Sequence, residues 1–215
     1  MPAGAKTEIE IKLRVKHPDS IRRLLARIGA QRAARIHEFN VVYDNADRSL
    51  FQSGRLLRLR VQVSPGRAQR TRRAILTFKG PPVADASAAS DAGIPAAGTG
   101  PRYKVRQELE AEVSSPETLE AVFSSLGLLP WFRYEKFRTR YHSRRPGPAL
   151  HFDLDETPIG LFLELEGSPA AIDRAARQLG YGPGDYITAS YYGLYLEDCR
   201  QRGVPPGDML FPRTK

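Results

Sequence analysis

The chain has 215 residues and carries 33 basic against 24 acidic side chains, which gives a formal net charge of +9. A hydrophobic content of 41% is enough for a full core and argues against wholesale disorder, and the length fits one large domain or two small ones. No run of about 18 apolar residues occurs, the N-terminus lacks a signal-peptide pattern, and Cys199 is the single cysteine, so we expect a cytoplasmic protein without a membrane span, a disulfide framework or a cysteine-rich zinc site.

The first half of the chain combines predicted strands with short helices. Apolar and charged residues alternate over 6–15, which is typical of a half-buried strand, and Pro18 then begins a helix that ends at Gly29. Three further strands are predicted at 33–44, 55–63 and 72–79. A turn with a short helical piece is predicted over 45–54. Residues 81–101 are rich in Pro, Ala, Gly and Ser, and we interpret them as a flexible insertion in a hairpin.

The second half repeats this order. Four more strands are predicted at 102–113, 131–143, 149–155 and 160–166. Helices are predicted from Pro116 to Leu126, from Pro169 to near Gly180 and over about 188–201. A Glu-x-Glu strand followed by a proline-started helix occurs three times, which indicates a duplicated architecture with helices on the apolar side of one sheet. We expect one domain over residues 1–202 and a C-terminal tail over 203–215.

Charged side chains occupy every second position of most predicted strands, and therefore share one face of each strand. They are Glu8, Glu10 and Lys12; Arg58 and Arg60; Lys79; Lys104, Arg106, Glu108 and Glu110; Lys136, Arg138 and Arg140; Asp153 and Asp155; and Glu164 and Glu166. For any single strand, charges that point to solvent are the ordinary explanation. About eight strands, however, make a sheet large enough to curl, and the helices need its apolar face. The charged faces would then point together into a closed barrel.

An interior with both signs of charge is costly unless a ligand separates the groups. A polyphosphate with Mg²⁺ or Mn²⁺ supplies both signs, because Arg and Lys bind phosphate oxygens and carboxylates bind hard divalent cations. The four histidines lack the spacing of a metal site, and no glycine-rich phosphate loop is present. The net charge alone is explained better by a solvated basic surface, so only the strand pattern favours a bound anionic ligand.

The segment Glu8-x-Glu10-x-Lys12 resembles the E-x-E-x-K signature of the CYTH superfamily, the triphosphate tunnel metalloenzymes. That group includes class IV adenylyl cyclases, thiamine triphosphatases and inorganic triphosphatases. The supporting segments follow in the family's order at 57–60, 77–80, 106–110, 136–138, Asp155 and 164–166. The resemblance covers roughly residues 6–200.

The resemblance implies an α+β protein with an eight-stranded antiparallel closed barrel, helices outside and a tunnel open at two ends. It implies metal ligands at Glu8, Glu10, Asp153, Asp155, Glu164 and Glu166. It implies a triphosphate clamp of Lys12, Arg58, Arg60, Lys79, Arg106, Lys136 and Arg138, with Glu108, Glu110 and Arg140 on the tunnel wall. Glu108 and Glu110 would be either second metal ligands or organisers of the arginines. The catalytic candidates are Lys12, Glu8 and Glu10, and Lys12 would accept a proton if neighbouring cations lower its pKa.

We therefore predict a hydrolase that uses Mg²⁺ or Mn²⁺ to cleave an inorganic or organic triphosphate. A class IV adenylyl cyclase is the closest alternative, since Glu38–Asp44 resembles a segment of cyclase-like bacterial members. A polyphosphate- or nucleic-acid-binding protein without turnover is a third, against which the interior carboxylates argue. No membrane partner is expected, and assembly as a homodimer stays open.

Several aromatic residues admit two interpretations. Trp131 and Phe132 are typical of core positions, or else stack on a base at a tunnel mouth. Tyr191, Tyr192 and Tyr195 have helical spacing and are predicted to dock the last helix on the barrel, with closure of one tunnel end as the alternative.

Overall fold

The computed structural model describes residues 5–64, 71–83, 101–143 and 150–213. The strands are β1 (Lys6–Val15), β2 (Ala30–Asp44), β3 (Leu56–Ser64), β4 (Thr71–Lys79), β5 (Lys104–Val113), β6 (Leu129–Ser143), β7 (Leu150–Thr157) and β8 (Gly160–Gly167). The α-helices are α1 (Pro18–Arg27), α2 (Ser49–Gln52), α3 (Pro116–Ser125), α4 (Pro169–Gln178) and α5 (Tyr191–Arg202), and a 3₁₀ turn spans Pro183–Asp185.

The predicted closed antiparallel barrel is confirmed. Its strands follow the order β1-β5-β4-β3-β2-β6-β7-β8, and β8 pairs with β1 to close the ring. Closure removes the unpaired edges of an open sheet and gives every strand an inner and an outer face.

The outer face carries the main core. On β1, Ile11 and Leu13 are fully buried beneath α1 and α4, which contribute Leu25 and Ile172 to the same cluster. Pro18 stands at the first turn of α1, and Gly29 follows its end with a φ of 84°, a left-handed conformation that glycine adopts without steric cost. The alternation in the sequence therefore separates an apolar exterior under helices from a charged interior.

Two strands are longer than the sequence pattern predicts. β2 begins at Ala30 and β6 at Leu129, because the two pair with each other over nearly their whole lengths. Residues 30–32 are mostly polar, yet they continue the ladder opposite Tyr141 and His142. Tertiary pairing thus extends a strand where its own side chains show no strand pattern.

The predicted C-terminal tail docks on the barrel. Met209 is 1% exposed, its N–H donates to the carbonyl of Arg133 at 2.9 Å, and its carbonyl accepts from the N–H of Glu135 at 3.1 Å. β7 pairs with β6 from Phe137 onward, so this short segment covers the part of the β6 edge that β7 does not reach.

Two further points concern the predicted insertion and the length of the helices. Most of the predicted 81–101 insertion, residues 84–100, lies outside the described residues. Within the described part of the chain, the longest helix has 12 residues, and none has the length and apolar character that a membrane crossing needs.

Candidate functional site

Strand register brings the predicted charged residues to the inside of the barrel. Residues directly opposite each other in antiparallel strands share a face. On this rule the pairs Glu10 with Glu166 and Lys12 with Glu164 share the interior between β1 and β8. The same holds for Arg138 with Asp155 between β6 and β7. The charged faces of distant sequence segments therefore meet.

The barrel encloses a cavity of about 760 Å³, a size typical of small-molecule sites. His142 and His151 line it at one end of the barrel, and Trp131 and Tyr192 line it at the end beside α5. Its charged lining consists of Lys6, Glu8, Glu10, Lys12, Asp44, Arg55, Arg58, Arg60, Lys79, Lys104, Arg106, Glu108, Glu110, Lys136, Arg138, Arg140, Asp153, Glu164 and Glu166. Every predicted site residue is in this lining except Asp155.

The carboxylates of β1 and β8 pair with cations of the predicted phosphate clamp. Lys12 Nζ lies 3.0 Å from Glu10 Oε1 and 3.6 Å from Glu164 Oε1. Lys79 binds Glu8 and lies 3.1 Å from Glu108. The groups predicted for a metal ion and those predicted for a triphosphate thus neutralise each other.

These pairings give neighbouring carboxyl groups different pKa values. Burial raises the pKa of Glu10, but the charges of Lys12 and Lys104 outweigh it and hold the pKa at about 2. Burial likewise opposes the charged form of Glu164, yet Arg138 and Lys136 hold its pKa well below the usual range. The pKa of Glu8 is instead raised, by burial and by the charge of Glu10.

Lys12 does not have the property required of a proton acceptor. Burial lowers the pKa of Lys12, but the carboxylates of Glu10 and Glu164 outweigh burial and raise it above the ordinary lysine value. The condition under which Lys12 would accept a proton, a pKa lowered by neighbouring cations, is not met, because the nearest charges are negative. A permanently charged Lys12 is suited to bind phosphate.

Asp155 has a different place from the other predicted metal ligands. Its side chain is fully buried and accepts hydrogen bonds from Lys136 Nζ at 2.7 Å and from Arg138 Nε at 2.7 Å. Arg138 Nη2 donates a third at 2.6 Å, and the phenol of Tyr191 donates a fourth, also at 2.6 Å. With its oxygens bound in this way, Asp155 fixes two cations that line the cavity.

The first residue of the last helix, Tyr191, lies inside the barrel end. Its ring centroid is 5.4 Å from Lys12 Nζ and 4.7 Å from Lys136 Nζ, both within cation–π range. Burial and the charge of Asp155 raise the pKa of Tyr191 well above 10.0, so the phenol stays protonated and donates. The predicted docking role of the tyrosines thus extends, at Tyr191, to contact with the charged site.

Buried neutral and acidic groups that the sequence analysis did not select hold the arginines of β3. Arg58 donates to Tyr134 Oη at 3.1 Å and to Thr77 Oγ1 at 3.0 Å. Arg60 donates to Asn40 Oδ1 at 2.9 Å. These partners lie on interior positions of β2, β4 and β6, so the same alternation could have found them had polar residues been counted with the charged ones.

Two further residues support the clamp. Glu38 is 0% exposed and lies 3.4 Å from Arg60 Nη1 and 3.8 Å from Lys136 Nζ. Glu110 lies 3.8 Å from Arg58 Nη2, which fits an organiser of the arginines. Both carboxylates orient cations toward the cavity.

The donor set suits a hard divalent cation. Carboxylates of Glu8, Glu10, Asp153, Glu164 and Glu166 line one cavity, and oxygen is the ligand that Mg²⁺ prefers. Among the described residues, no three acidic, histidine or cysteine side chains are close enough together to form a preformed site. A bound cation would therefore take carboxylates that now pair with lysine and arginine.

The model of the CYTH domain family matches residues 6–191. No curated protein matches the sequence.

Solved structures share the fold. The PH1819 protein from Pyrococcus horikoshii OT3 is 21% identical, with a TM-score of 0.68 over 89% of this chain and 99% of that one. A Vibrio parahaemolyticus protein provisionally assigned as an adenylate cyclase is 20% identical, with a TM-score of 0.61 over 87% of this chain and 96% of that one. A Hippeastrum protein, provisionally assigned as an adenylyl cyclase and described as having a dominant triphosphatase activity, is 18% identical, with a TM-score of 0.52 over 93% and 97%.

Proposed function

Since the chain belongs to the CYTH domain family, we propose that it hydrolyses a triphosphate held inside the barrel, in a reaction that requires Mg²⁺ or Mn²⁺. One observation supports this most directly. Buried lysines and arginines pair with buried carboxylates around a cavity of about 760 Å³. A triphosphate can replace the carboxylates as partner of the cations, and a divalent cation can replace the lysines and arginines as partner of the carboxylates. Binding both together keeps every buried charge paired.

The triphosphate contacts come from side chains on strands. Arg58, Arg60 and Arg106 from β3 and β5 line the cavity together with Lys136 and Arg138 from β6, and Lys12 and Lys79 complete the set. Their supports are already in place, since Asp155 holds Lys136 and Arg138 while Tyr134 and Thr77 hold Arg58. Such preorganised cations stabilise the charge that develops on a transferred phosphoryl group.

The acidic side would hold the divalent cation. Glu8, Glu10, Glu164 and Glu166 are the proposed ligands, with Asp153 beside them on β7. When bound, the cation would supply positive charge that polarises the phosphate oxygens. Asp155 belongs with the support of the clamp rather than with these ligands, because its oxygens are taken by Lys136, Arg138 and Tyr191.

The proposed reaction is a single phosphoryl transfer to water. The water oxygen forms a bond to the terminal phosphorus, and the bond from that phosphorus to the bridging oxygen breaks. The bridging oxygen keeps the electron pair as part of the diphosphate leaving group. The water proton passes to a tunnel carboxylate or to solvent, while charged Lys12 stays on phosphate. Of the two candidate carboxylates, Glu8 is the better acceptor, because its pKa is raised whereas that of Glu10 is about 2. The single cysteine supports a reducing compartment such as the cytoplasm.

A class IV adenylyl cyclase activity is the second candidate. It would use the same clamp, but the ribose 3′-hydroxyl would attack the α-phosphorus and pyrophosphate would leave. The aromatic side chains at the α5 end of the cavity support this alternative, because aromatic rings can stack on the base of ATP. Two solved structures with a similar fold, from Vibrio parahaemolyticus and Hippeastrum, are provisionally assigned as cyclases, and the second is also described as having a dominant triphosphatase activity.

The test is product analysis. The purified protein is incubated with inorganic triphosphate or ATP, with Mg²⁺ or Mn²⁺, and with EDTA as control, and products are separated by chromatography. Release of orthophosphate that EDTA abolishes supports the hydrolase. Formation of cyclic AMP and pyrophosphate from ATP would instead support the cyclase and contradict the proposed hydrolase.

A variant separates catalysis from simple binding. The Glu8→Gln, Glu10→Gln double variant should abolish turnover in a metal-dependent enzyme. In a protein that merely presents a basic surface to polyphosphate, the same change should leave binding unchanged or improve it, and turnover should be absent from the start.

A further inference from the structure

Two of the four histidines meet at the end of the barrel opposite α5. His142, near the end of β6, and His151, near the start of β7, occupy directly opposite positions of these antiparallel strands. Both side chains line the cavity, and both residues are exposed. The histidines have no metal-site spacing along the sequence, so it is the pairing of β6 with β7 that brings these two together.

A carboxylate continues this row on the next strand. Glu166 of β8 lies directly opposite His151, so β6, β7 and β8 place His142, His151 and Glu166 side by side on the inner face. Opposite residues of antiparallel strands have Cβ atoms about 4.5–5.5 Å apart. Two imidazoles at such a separation can bind one ion, with metal–nitrogen distances of about 2.0–2.1 Å. Two histidines and a carboxylate are a ligand set typical of divalent transition metals.

The two imidazoles are not engaged elsewhere in the described part of the chain. Neither ring makes a hydrogen bond, an ion pair or an aromatic contact with another described residue. His37, by contrast, lies with its Nε2 2.9 Å from Glu135 Oε2, and its ring contacts Phe137. The ring nitrogens of His142 and His151 are therefore available to a ligand that enters this end of the cavity.

Glu166 can turn toward the histidines at a small cost. It pairs with Lys6, whose side chain is 64% exposed, and ion pairs of this kind typically contribute less than about 1 kcal/mol. Asp153 shares the face of His151 on β7 but is harder to release, because buried Arg138 lies with its Nη1 2.7 Å from Asp153 Oδ2. The two histidines and Glu166 do not converge on one point in this structure, so the site forms by rotation of side chains at an open end.

The backbone that carries the two histidines is fixed by the main core. Tyr141 and Phe152 are the adjacent pair of opposite residues, and they belong to the main core cluster with 7% and 2% exposure. Since each lies next to a histidine in its own strand, their burial holds the histidines at a constant separation. Ligands on strands that are held in this way need little backbone reorganisation to bind an ion.

We propose that His142, His151 and Glu166 bind a divalent transition-metal ion of the class of Zn²⁺, Cu²⁺ and Ni²⁺ at the end of the barrel opposite α5. Imidazole nitrogen suits these ions, whereas Mg²⁺ prefers oxygen ligands and keeps several of its waters. The two histidines therefore select against Mg²⁺, and water fills the remaining coordination positions. This site does not depend on triphosphate hydrolysis, and it shares Glu166 alone with the ligands proposed for the catalytic cation.

The test is calorimetric titration of the full chain with Zn²⁺, after removal of bound metal with EDTA and dialysis. Titrations are run with and without Mg²⁺, which competes at carboxylates but not at imidazole. Wild type is compared with His142→Ala, His151→Ala and Glu166→Gln. His17→Ala is the matched control, because His17 is an exposed histidine that precedes α1 and does not line the cavity. Electron paramagnetic resonance with Cu²⁺ then counts the nitrogen ligands.

We expect each histidine variant to weaken Zn²⁺ binding by more than about 100-fold, since even loss of a group that only orients a metal ligand costs about 10–100-fold. Glu166→Gln should weaken binding less, because both imidazoles remain, and His17→Ala should not change it. The Cu²⁺ spectrum should show two nitrogen ligands in wild type and one in each histidine variant.

Zn²⁺ binding that survives either histidine substitution, or a Cu²⁺ spectrum without nitrogen coupling, would overturn the site. Unchanged binding in Glu166→Gln would contradict the assignment of this carboxylate as the third ligand. The titrations contain no triphosphate, so a failure to release orthophosphate in the activity assay would overturn the hydrolase and leave this result standing.

Discussion

In the middle of the barrel, buried lysines, arginines and carboxylates pair with one another across strands, whereas at the α5 end aromatic rings contact one another around a loop with a left-handed arginine. The two regions would bind a ligand by different means. To bind a triphosphate and a metal ion, the charged middle must exchange its internal pairs of lysine or arginine with carboxylate for pairs with the ligands. This exchange depends on the total charge and the geometry of the ligands. The aromatic end offers ring surface, which depends on the shape of the ligand. On the proposed function, the charged middle would carry the chemistry, while the rings at the α5 end would contact any organic part of the substrate.

The difference also concerns how each region is held together. The charged middle is supported by buried groups that no ligand needs to touch, Asp155 and Glu38 above all. The aromatic end is supported by main-chain features, a bulge at Trp131 and the loop that Asp44 fixes. Substitutions in the first region should mainly change stability and turnover, and those in the second mainly selectivity.

The largest expected effect comes from removing the charge of Asp155. Asp155→Asn leaves buried Lys136 without its nearest carboxylate and removes one of the three carboxylates that pair with buried Arg138, and loss of one partner of a buried pair typically costs about 3–5 kcal/mol. The measurement is urea unfolding. Asp198→Asn is the control, since Asp198 pairs with the largely exposed Arg202 on α5 and should cost less than about 1 kcal/mol. Equal costs for the two variants would show that the Asp155 network does not stabilise the middle.

Removal of one proposed metal ligand should be the next largest effect. Glu10→Gln keeps the shape of the side chain but removes its charge, and we expect about a 100-fold lower rate of orthophosphate release. Because buried Lys12 loses its nearest carboxylate and keeps Glu164, we also expect a lower thermal stability, so turnover is compared at a temperature where both proteins are folded. Glu197→Gln, on the exposed side of α5 beside Arg200, is the matched control. Unchanged turnover in the Glu10 variant would remove this carboxylate from the reaction.

The charged middle should also respond to pH. Burial raises the pKa of Glu38, but Arg60, Arg138 and Lys136 outweigh it and hold it below the ordinary value of 4.5. A lowered folded-state pKa means that Glu38 contributes stability above pH 4.5, and that the contribution falls as the pH drops toward its folded-state pKa. The difference in unfolding free energy between wild type and Glu38→Gln should therefore be largest near neutral pH and narrow in acid. A difference that grew in acid would contradict this assignment.

The two regions also differ in how far the sequence could predict them. Alternation along each strand was sufficient for the barrel and for the inward direction of Glu10, Arg58 and Arg138, because a period of two decides which face a side chain takes. It could not separate Asp155 from Asp153, since both alternate correctly. Asp155 is buried because it pairs in register with Arg138 and because Tyr191 reaches it from the distant helix α5. Asp153 instead lines the cavity.

Irregular features of the barrel could not be predicted from the alternation of apolar and charged residues. The bulge at Trp131 interrupts the period-two alternation of β6. The sequence therefore did not decide whether this ring packs in the core or stacks on a base. The docking of Met209 likewise depends on how far β7 extends along β6, a property of another strand. Local patterns determine faces, whereas pairing lengths and strand breaks come from the assembled barrel.

The smallest predicted effect concerns the backbone of the aromatic end. Arg48→Gly and Arg48→Ala both remove the guanidinium from the Trp131 ring, so both should weaken ATP binding by the same few-fold factor expected for an exposed cation–π contact. They differ in the Cβ atom, which is unfavourable at a φ of 60°. Glycine should therefore be more stable than alanine by about 1 kcal/mol, even though glycine has more conformational freedom to lose on folding.

Urea unfolding and calorimetry on the same two proteins separate these contributions. If the alanine variant were as stable as the glycine variant, the loop would not be strained, and the left-handed conformation would no longer support a ligand site at this end. If instead the two differed in stability but bound ATP as wild type does, the strain would be real and the guanidinium would have no part in binding. A base bound in the alternative cyclase activity would then contact the rings of Trp131, Phe51 and Tyr192 alone.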